Sequence, residues 1–190
     1  MEESKNNISL NAKDIIDKKV LIIGEVGSGK TILTAQLIKD LMNTVDLNVL
    51  TVIDMAPEMI EMVGGKLTNY VNIPNKVRYL SPQKIYAPRY IGKSKKEVLG
   101  YANKNKEKIE PILEIYIRKP SKILIINDLT LYLHRGDLKK VLDCIELSNC
   151  FLASAYYGSF FTDDRRTGIN KREKILINKL MSFMNKVVKL

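Results

Sequence analysis

The sequence predicts an α/β protein of three layers, in which a mostly parallel, five-stranded sheet is flanked by helices. Short apolar runs alternate along the chain with segments of helical periodicity, which is the pattern of strands connected by crossover helices. Three of the runs are nearly continuous in Val, Ile and Leu, as is typical of strands buried on both faces. The predicted strands cover residues 20–23, 48–53, 123–127, 150–154 and 186–190.

The helices predicted between these strands follow from apolar side chains spaced three and four residues apart. This spacing occurs in residues 30–43 and again in 137–147, where Asp137 is a good N-cap. A third helix is predicted over 171–185, with Asn170 as its cap. It returns the chain to the last strand.

Residues 66–120 form an excursion between two of the predicted strands, and this stretch is called the excursion below. Its least regular part is 74–92, where three prolines interrupt any long element. Ser94 then predicts the start of a long charged helix, with a kink or a pair of helices at Pro111. Because no repeat or low-complexity linker separates the excursion from the rest, the 190 residues are expected to form a single domain.

Composition narrows the class of protein. An apolar content of 45% is enough for one substantial core. No apolar run approaches the length needed to cross a bilayer, and acids stand near the N-terminus where a secretory signal carries bases. We therefore expect a cytoplasmic protein that does not enter a membrane. Cys144 and Cys150 have no Cys/His cluster around them and are predicted to be buried or half-buried thiols.

The net charge of +10 is concentrated in one part of the chain. Residues 66–122 contain fourteen bases and four acids. A basic stretch of this kind can bind nucleic acid, an acidic protein or anionic lipid. A lysine-rich, solvated surface accounts for the same charge, so the sequence supports a nucleic-acid partner only weakly.

The strongest motif lies at residues 24–31, which read Gly-Glu-Val-Gly-Ser-Gly-Lys-Thr. They match G-x-x-x-x-G-K-[ST] at every fixed position, directly after an apolar strand and before an amphipathic helix. Glycines permit the torsions that point successive backbone N–H groups at phosphate oxygens, and the helix dipole adds positive potential. The motif therefore predicts a phosphate-binding loop.

Through this Walker A motif the chain resembles the P-loop NTPase superfamily. The resemblance implies the P-loop NTPase fold and the binding of a nucleoside triphosphate with Mg²⁺. It implies that Lys30 reaches the β- and γ-phosphates, and that the Thr31 hydroxyl binds the metal. The residues expected to contact the nucleotide in this loop are Gly24, Glu25, Val26, Gly27, Ser28, Gly29, Lys30, Thr31 and Ile32.

A second motif resembles Walker B of the same superfamily. Residues 122–128 read Lys-Ile-Leu-Ile-Ile-Asn-Asp, an apolar strand that ends in an aspartate. The resemblance implies that Asp128 holds Mg²⁺ across from Thr31, either directly or through water. A helix cap or a turn is the alternative role for Asp128. Many ATPases of the superfamily place a glutamate after this aspartate, but Leu129 stands there, so the hydrolytic base must be sought elsewhere.

RecA- and KaiC-like members of the superfamily supply an acid at the end of the strand that follows the phosphate-loop helix. Glu58 is the first candidate for this catalytic carboxylate and Asp54 the second. The alternative is that Pro57 and Glu58 simply open a helix. RecA-like proteins also place a γ-phosphate-sensing polar residue at the end of a later strand, where Ser154 lies.

The segment after Ser154 holds further candidates. Its aromatic residues can stack on a base or pack against the edge of the domain. Arg165 or Arg166 can neutralise γ-phosphate charge in cis or in a neighbouring subunit, with surface ion pairing as the alternative. His134 has no metal-ligand partner at a regular spacing and is assigned no chemistry. The aromatic residues are Tyr156, Tyr157, Phe160 and Phe161.

The preferred interpretation is an Mg²⁺-dependent, ATP-hydrolysing protein of the RecA/KaiC-like branch, with a homo-oligomer as an additional expectation. Two other functions stay open. A small-molecule or nucleotide kinase would use residues 74–92 or 163–168 as a lid over the acceptor. A nucleotide-dependent switch without turnover would be consistent with the missing glutamate after Asp128.

Overall fold

The computed structural model describes residues 10–59 and 65–190. Helices and strands alternate along these two ranges. The strands are β1 (Lys19–Gly24), β2 (Leu50–Asp54), β3 (Arg78–Leu80), β4 (Ile123–Asn127), β5 (Cys150–Tyr156) and β6 (Lys186–Lys189). The helices are α1 (Ala12–Ile15), α2 (Lys30–Met42), α3 (Pro88–Ile91), α4 (Lys95–Arg118), α5 (Thr130–Leu133), α6 (Leu138–Glu146) and α7 (Ile169–Met181).

The strands form one sheet in the order β3-β2-β4-β5-β1-β6, and every neighbouring pair is parallel. The predicted α/β class is confirmed, but the predicted number of strands is wrong, because the sheet has six rather than five. The additional strand is β3 in the excursion, which pairs with β2 at the sheet edge. Three partly buried residues are too few to produce the apolar run by which strands are recognised in a sequence.

The core lies on both faces of the sheet. Leu21 and Ile23 of β1 pack with α4, α5, α6 and α7 on one face, whereas Val20 and Ile22 pack with α1 and α2 on the other. Because successive side chains of a strand point to opposite faces, a strand covered on both sides must be apolar throughout. The three predicted layers are therefore present.

Helix α4 is the main element of the excursion. It begins as predicted, with the Ser94 hydroxyl accepting the Glu97 N–H at 3.2 Å. It continues through Pro111 to Arg118 as one helix, so the predicted alternative of two helices is wrong. Ile109 and Leu113, on either side of the proline, belong to the same core cluster, so both halves of the helix pack against the same core. In the described ranges no helix, α4 included, is long and apolar enough to cross a bilayer.

Two predicted helix caps had different outcomes. Asp137 caps α6 as predicted, because its carboxylate accepts the Lys139 N–H at 2.9 Å. The cap predicted for α7 is wrong, since the helix begins at Ile169 behind Gly168, whose φ is 78°. Asn170 instead turns inward and donates to the Phe161 carbonyl at 2.6 Å. A glycine in the left-handed region ends the preceding loop without the strain that a side chain would cause.

The two cysteines are buried, free thiols, as predicted. Burial raises the pKa of Cys144 to about 12 and that of Cys150 to about 11. The Cys150 thiol donates to the Ile15 carbonyl at 3.0 Å. Both side chains are therefore protonated at neutral pH and serve as small apolar groups in the core.

Candidate functional site

A cavity of about 250 Å³ lies beside the carboxyl ends of the central strands. This is the edge at which parallel α/β sheets bind ligands. The cavity is lined by residues 26–32, by Asp128 and by Ser154, all of which were predicted from the sequence to belong to the site. Residues 87–90 of the excursion, together with Pro57 and Met59, line it as well.

The 24–29 loop connects β1 to α2 and depends on glycine at particular positions. Gly27 and Gly29 have φ values of 73° and 91°, in the left-handed region that other residues adopt at a cost. Around both of them the space for a Cβ atom is open, so the requirement comes from torsion rather than crowding. At Gly24 the reason is crowding, because a Cβ would lie 2.7 Å from the Leu190 carbonyl oxygen.

Lys30 lies within the curve of this loop. Its ammonium donates to the Gly24 carbonyl at 3.0 Å and to the Glu25 carbonyl, and lies 3.4 Å from the Ser28 hydroxyl. Burial lowers the pKa of Lys30, while the negative charges of Asp128 and Glu25 act in the opposite direction. The ammonium is thus partly desolvated and hydrogen-bonded to neutral oxygens, which favours an anionic ligand beside it.

Asp128 follows β4 in a left-handed turn with a φ of 56°. Its N–H donates to the Ser154 hydroxyl and its carboxylate accepts the Thr130 hydroxyl, both at 3.0 Å. Burial raises the pKa of Asp128 to about 6, although Thr130 and Lys30 both oppose this rise. At neutral pH the carboxylate is therefore mostly ionised but poorly solvated.

Ser154 connects β5 to β4 through its side chain. The buried hydroxyl donates to the Asn127 side-chain oxygen at 2.9 Å and accepts the Asp128 N–H. The Asn127 amide in turn donates to Asp54 at 2.9 Å. Ser154 therefore reaches the cavity, and its hydrogen bonds hold the turn that carries Asp128.

Asp54, the second candidate for the catalytic base, has a structural position. Its buried carboxylate accepts the N–H groups of Ala56 and Leu67, the Tyr79 hydroxyl and the Asn127 amide. These four donors occupy the acceptor positions of the Asp54 carboxylate, so it has none left for a water molecule. Asp54 therefore ties the excursion to the ends of β2 and β4 and does not line the cavity.

Glu58, the first candidate for the base, is exposed and stands between Pro57 and Met59, both of which line the cavity. The Glu58 side chain is not itself part of the cavity wall. A helix opened by Pro57 and Glu58, the alternative prediction, would extend into residues 60–64, which lie outside the described ranges.

Glu25 connects the 24–29 loop to the segment after β5. Its carboxylate accepts the N–H groups of Ser159 and Phe160 and the Ser159 hydroxyl. The bond from the Ser159 N–H is the main reason why the pKa of Glu25 is lowered. A Cβ at Gly158 would overlap this carboxylate, so a side chain there would displace Glu25 from these hydrogen bonds. From the sequence Glu25 was predicted to lie near the phosphates, but nothing in the sequence indicated its hydrogen bonds to Ser159 and Phe160.

A buried ion pair that the sequence did not reveal lies beside the cavity, and its Arg89 is part of the cavity wall. Arg89 of α3 donates two hydrogen bonds to Glu173 of α7, at 2.5 and 3.0 Å, and one to Asn170 at 2.8 Å. The side chains of Arg89 and Glu173 are only 5% and 4% exposed. The guanidinium also lies 4.2 Å from the centroid of the Phe161 ring and 5.0 Å from that of Tyr156.

His134 joins this ion pair from α5. Its Nε2 lies 3.1 Å from Glu173, and because a carboxylate only accepts, Nε2 carries the proton. Burial is the main cause that lowers the pKa of His134, opposed by Glu173 and reinforced by Arg89 and Arg172. Within the described ranges Nδ1 has no hydrogen-bond partner. The ring, which lines the cavity, is therefore neutral at pH 7.

Replacing His134 with glutamine is expected to reduce the loss of stability on acidification. Below about pH 6.5 His134 is protonated in the unfolded chain but stays neutral in the folded chain. Because protonation stabilises only the unfolded state, the contribution of His134 lowers the free energy of unfolding more as the pH falls. The free energy of unfolding in urea, measured near pH 5 and near pH 7.5, should therefore change less in the variant, by up to about 1 kcal/mol per pH unit.

Asp128 acts in the opposite direction and is common to both proteins. Its raised pKa, about 6, lets the folded chain bind a proton before the unfolded chain does as the pH falls towards 3.8. Because both proteins contain Asp128, its contribution cancels when the pH dependence of unfolding in the parent is compared with that in the variant. Equal pH slopes in the two proteins would show that His134 is not held neutral.

The aromatic residues that follow Ser154 mainly pack within the fold. Tyr156 and Phe161 lie edge to face with centroids 5.3 Å apart, and both contact Arg89. Phe160, in contrast, is 55% exposed. Arg165 is exposed and pairs with Asp163 on the surface, and Arg166 is exposed beside it.

A parallel sheet with a glycine-rich loop between β1 and α2, and an aspartate at the end of β4, defines the class of P-loop NTPases. The chain belongs to the family described as Helicase HerA, central domain, whose sequence profile matches residues 1–188. This family is of the nucleotide-binding, ATPase type. None of the curated proteins with which the chain was compared matches it.

Two solved structures resemble the chain. Flagellar accessory protein FlaH from Methanocaldococcus jannaschii superposes with a TM-score of 0.52 at 11% identity, over 99% of this chain and 78% of that one. A protein from Pyrococcus horikoshii OT3 has a TM-score of 0.39 at 12% identity, over 95% and 87% of the two chains. At this level of identity the likeness to FlaH supports the fold alone.

Proposed function

We propose that this chain binds ATP with Mg²⁺ at the 24–31 loop and hydrolyses it in the manner of the RecA/KaiC-like branch. One observation carries the proposal. The loop brings Lys30 and Thr31 into the same cavity as Asp128, so a cation, a hydroxyl and a carboxylate surround one space that is large enough for a phosphate chain. This set of groups suits phosphoryl transfer from a nucleoside triphosphate.

The triphosphate is held by the loop backbone and by Lys30. Backbone N–H groups of residues 27–31 stand at the N-terminus of α2, where the helix dipole favours negative charge. The Lys30 ammonium exchanges its bonds to the Gly24 and Glu25 carbonyls for bonds to phosphate oxygens. Because those carbonyls are neutral, the exchange replaces a weaker interaction with a charge-assisted one.

The residues at this site fit a magnesium ion. Mg²⁺ prefers oxygen ligands, and the Thr31 hydroxyl and the Asp128 carboxylate both belong to the cavity wall. The raised pKa of Asp128 also indicates a buried negative charge that nearby Lys30 only partly compensates. When bound, Mg²⁺ would neutralise charge that develops on the β- and γ-phosphates.

Hydrolysis requires a group that orients water and accepts its proton. In this proposal Glu58 takes the proton while the water oxygen bonds to the γ-phosphorus and the bond to the β,γ-bridging oxygen breaks. ADP leaves with that oxygen. Ser154 senses the γ-phosphate through the turn that it shares with Asp128.

ATP binding and turnover, each measured with Mg²⁺ and with a chelator, test this proposal. Asp128→Asn keeps the left-handed turn, because asparagine tolerates it as well as aspartate does. We expect this variant to bind ATP about tenfold or more weakly with Mg²⁺ and nearly normally in the chelator. Glu58→Gln should bind ATP like the parent and lose about two orders of magnitude in turnover.

The two variants separate the parts of the proposal. If Asp128→Asn matches the parent with Mg²⁺, the magnesium assignment fails. If Glu58→Gln binds ATP and hydrolyses it at the parental rate, the catalytic assignment of Glu58 fails while the binding site stands. A parent that binds ATP tightly without any turnover would favour the nucleotide-dependent switch instead.

A kinase is the second candidate, because the excursion reaches the cavity. Residues 87–90 line the same space as Lys30 and Asp128, and an acceptor lid would occupy that position. Turnover distinguishes the two functions. An ATPase releases phosphate with water alone, whereas a kinase stays nearly silent until its acceptor is added.

A further inference from the structure

His134 has one polar atom that is left without a partner. The side chain is 1% exposed, and its ring lines the cavity together with Lys30 and Asp128. Nε2 donates to Glu173, whereas Nδ1 meets no hydrogen-bond donor in residues 10–59 and 65–190. An unmatched acceptor at this depth is costly, because bulk water does not reach it. A donor for Nδ1 must therefore come from a molecule held in the cavity.

The contacts of the ring allow Nδ1 only to accept a hydrogen bond. Glu173 keeps the proton on Nε2, since an ionised carboxylate has no proton to donate. Glu173 is in turn held by the two hydrogen bonds from Arg89, at 2.5 and 3.0 Å. The tautomer of His134 and the position of its ring are thus both set by the folded chain, before any ligand binds.

His134 belongs to the side of the cavity that carries Asp128. Its backbone N–H donates to the Thr130 carbonyl at 3.1 Å, and the Thr130 hydroxyl donates to the Asp128 carboxylate at 3.0 Å. The charges of Asp128 and Lys30 interact, and these two groups are the ones proposed to face the terminal phosphates. Ionised phosphate oxygens only accept hydrogen bonds and cannot satisfy Nδ1. The donor at this end of a bound nucleotide is therefore water.

We propose that Nδ1 of His134 accepts a hydrogen bond from the water that attacks the γ-phosphate. One O–H of this water points to Nδ1, which turns a lone pair of its oxygen towards phosphorus, and the other O–H gives its proton to Glu58. The oxygen bonds to the γ-phosphorus as the bond to the bridging oxygen breaks. His134 itself neither gains nor loses a proton. The inference rests on the proposed hydrolysis of ATP and adds a second acceptor for the water.

Two amide substitutions separate the roles of the two ring nitrogens. In His134→Gln the amide reaches about as far as Nε2, so it keeps a donor for Glu173 and loses the acceptor at Nδ1. In His134→Asn the shorter amide lies about where Nδ1 lies, so its oxygen restores the acceptor while the bond to Glu173 is lost. We expect the glutamine variant to bind ATP with Mg²⁺ like the parent and to turn it over about 10- to 100-fold more slowly.

The asparagine variant should keep its turnover within about threefold of the parent, although its urea midpoint falls because Glu173 loses a donor. Tyr132→Phe is the matched control, since it removes a buried hydroxyl from the same helix, α5, that is not part of the cavity wall. Its turnover should stay close to that of the parent. Circular dichroism confirms the folding of each variant.

Nitrogen NMR observes Nδ1 directly, because His134 is the single histidine of the chain. With isotope-labelled histidine, the free protein should show a protonated Nε2 and an unprotonated Nδ1. The complex with ADP, Mg²⁺ and aluminium fluoride imitates the attack of water on the γ-phosphate. In that complex the Nδ1 signal should shift as it does for a nitrogen that accepts a hydrogen bond, whereas ADP with Mg²⁺ alone should not cause the shift.

The outcomes distinguish this inference from the proposed function. A parent that hydrolyses no ATP would overturn both. The inference alone is overturned if the parent hydrolyses ATP and His134→Gln matches its turnover, or if this variant loses as much ATP affinity as turnover. It is also overturned if the folded asparagine variant is as slow as the glutamine variant, or if aluminium fluoride leaves the Nδ1 signal unchanged. If His134→Asn does not fold, the glutamine variant and the Nδ1 signal still decide.

Discussion

Replacing Lys30 with alanine is expected to weaken ATP binding by about two orders of magnitude, or about 2.7 kcal/mol, without a comparable loss of stability. The ammonium is the cation that faces the phosphates, whereas in the fold it is bound only by neutral oxygens of the loop. Burial lowers its pKa, which shows that its charge is a cost to the folded state. Calorimetry should find the loss in affinity, and urea unfolding should find little change.

Lys39→Ala is the matched control, because Lys39 lies on the same helix and is exposed. It removes one positive charge at a distance from the cavity and should leave both measurements close to the parent. A Lys30→Ala protein that binds ATP as tightly as the parent would disprove the nucleotide site, and with it the proposed function. The fold would be unaffected by that result.

Breaking the buried pair between Arg89 and Glu173 is expected to have the largest effect on stability. Arg89→Ala leaves the Glu173 carboxylate buried with His134 as its remaining partner, and Glu173→Ala leaves the guanidinium unpaired. Each variant should lose about 3–5 kcal/mol of unfolding free energy, because an isolated buried charge is costly. Urea unfolding at neutral pH measures this loss.

The exposed pair of Lys139 and Asp143 supplies the control. Their side chains are 77% and 37% exposed, and Asp143→Ala should cost less than about 1 kcal/mol. Replacing both Arg89 and Glu173 with methionine should recover a large part of the single-variant losses, since no buried charge then remains unpaired. Single variants that each cost less than about 1 kcal/mol would show that the pair is solvated rather than buried.

The phosphate loop could be predicted from the sequence because its determinants are consecutive. Gly27 and Gly29 supply the torsions, and Lys30 follows at once on the next helix. The same locality made Asp128 and the Ser94 cap predictable, since each directly adjoins an apolar run or a helix. The structure places these residues where the patterns indicated.

Contacts between segments that are distant along the chain leave no local pattern in the sequence from which they could be predicted. Arg89 and Glu173 are 84 residues apart, and His134 is 39 residues from Glu173. Nothing in the neighbourhood of any one of them indicates the other two, which is why His134 was assigned no chemistry. For Asp54 the sequence suggested a catalytic carboxylate after a strand. Its structural role became visible only in the fold, because three of its four hydrogen-bond donors come from other segments.

The sequence by itself determined the class of this protein: the alternation of buried strands with helices, the phosphate loop and the aspartate opposite it. These features arise from hydrophobic periodicity and backbone torsion, which act over a few neighbouring residues. Only the tertiary structure decided that Arg89 of the excursion forms part of the cavity wall, and that Tyr86 stacks on Tyr101. Burial and pairing of charges depend on which segments meet in space, and that is set by packing of the whole chain.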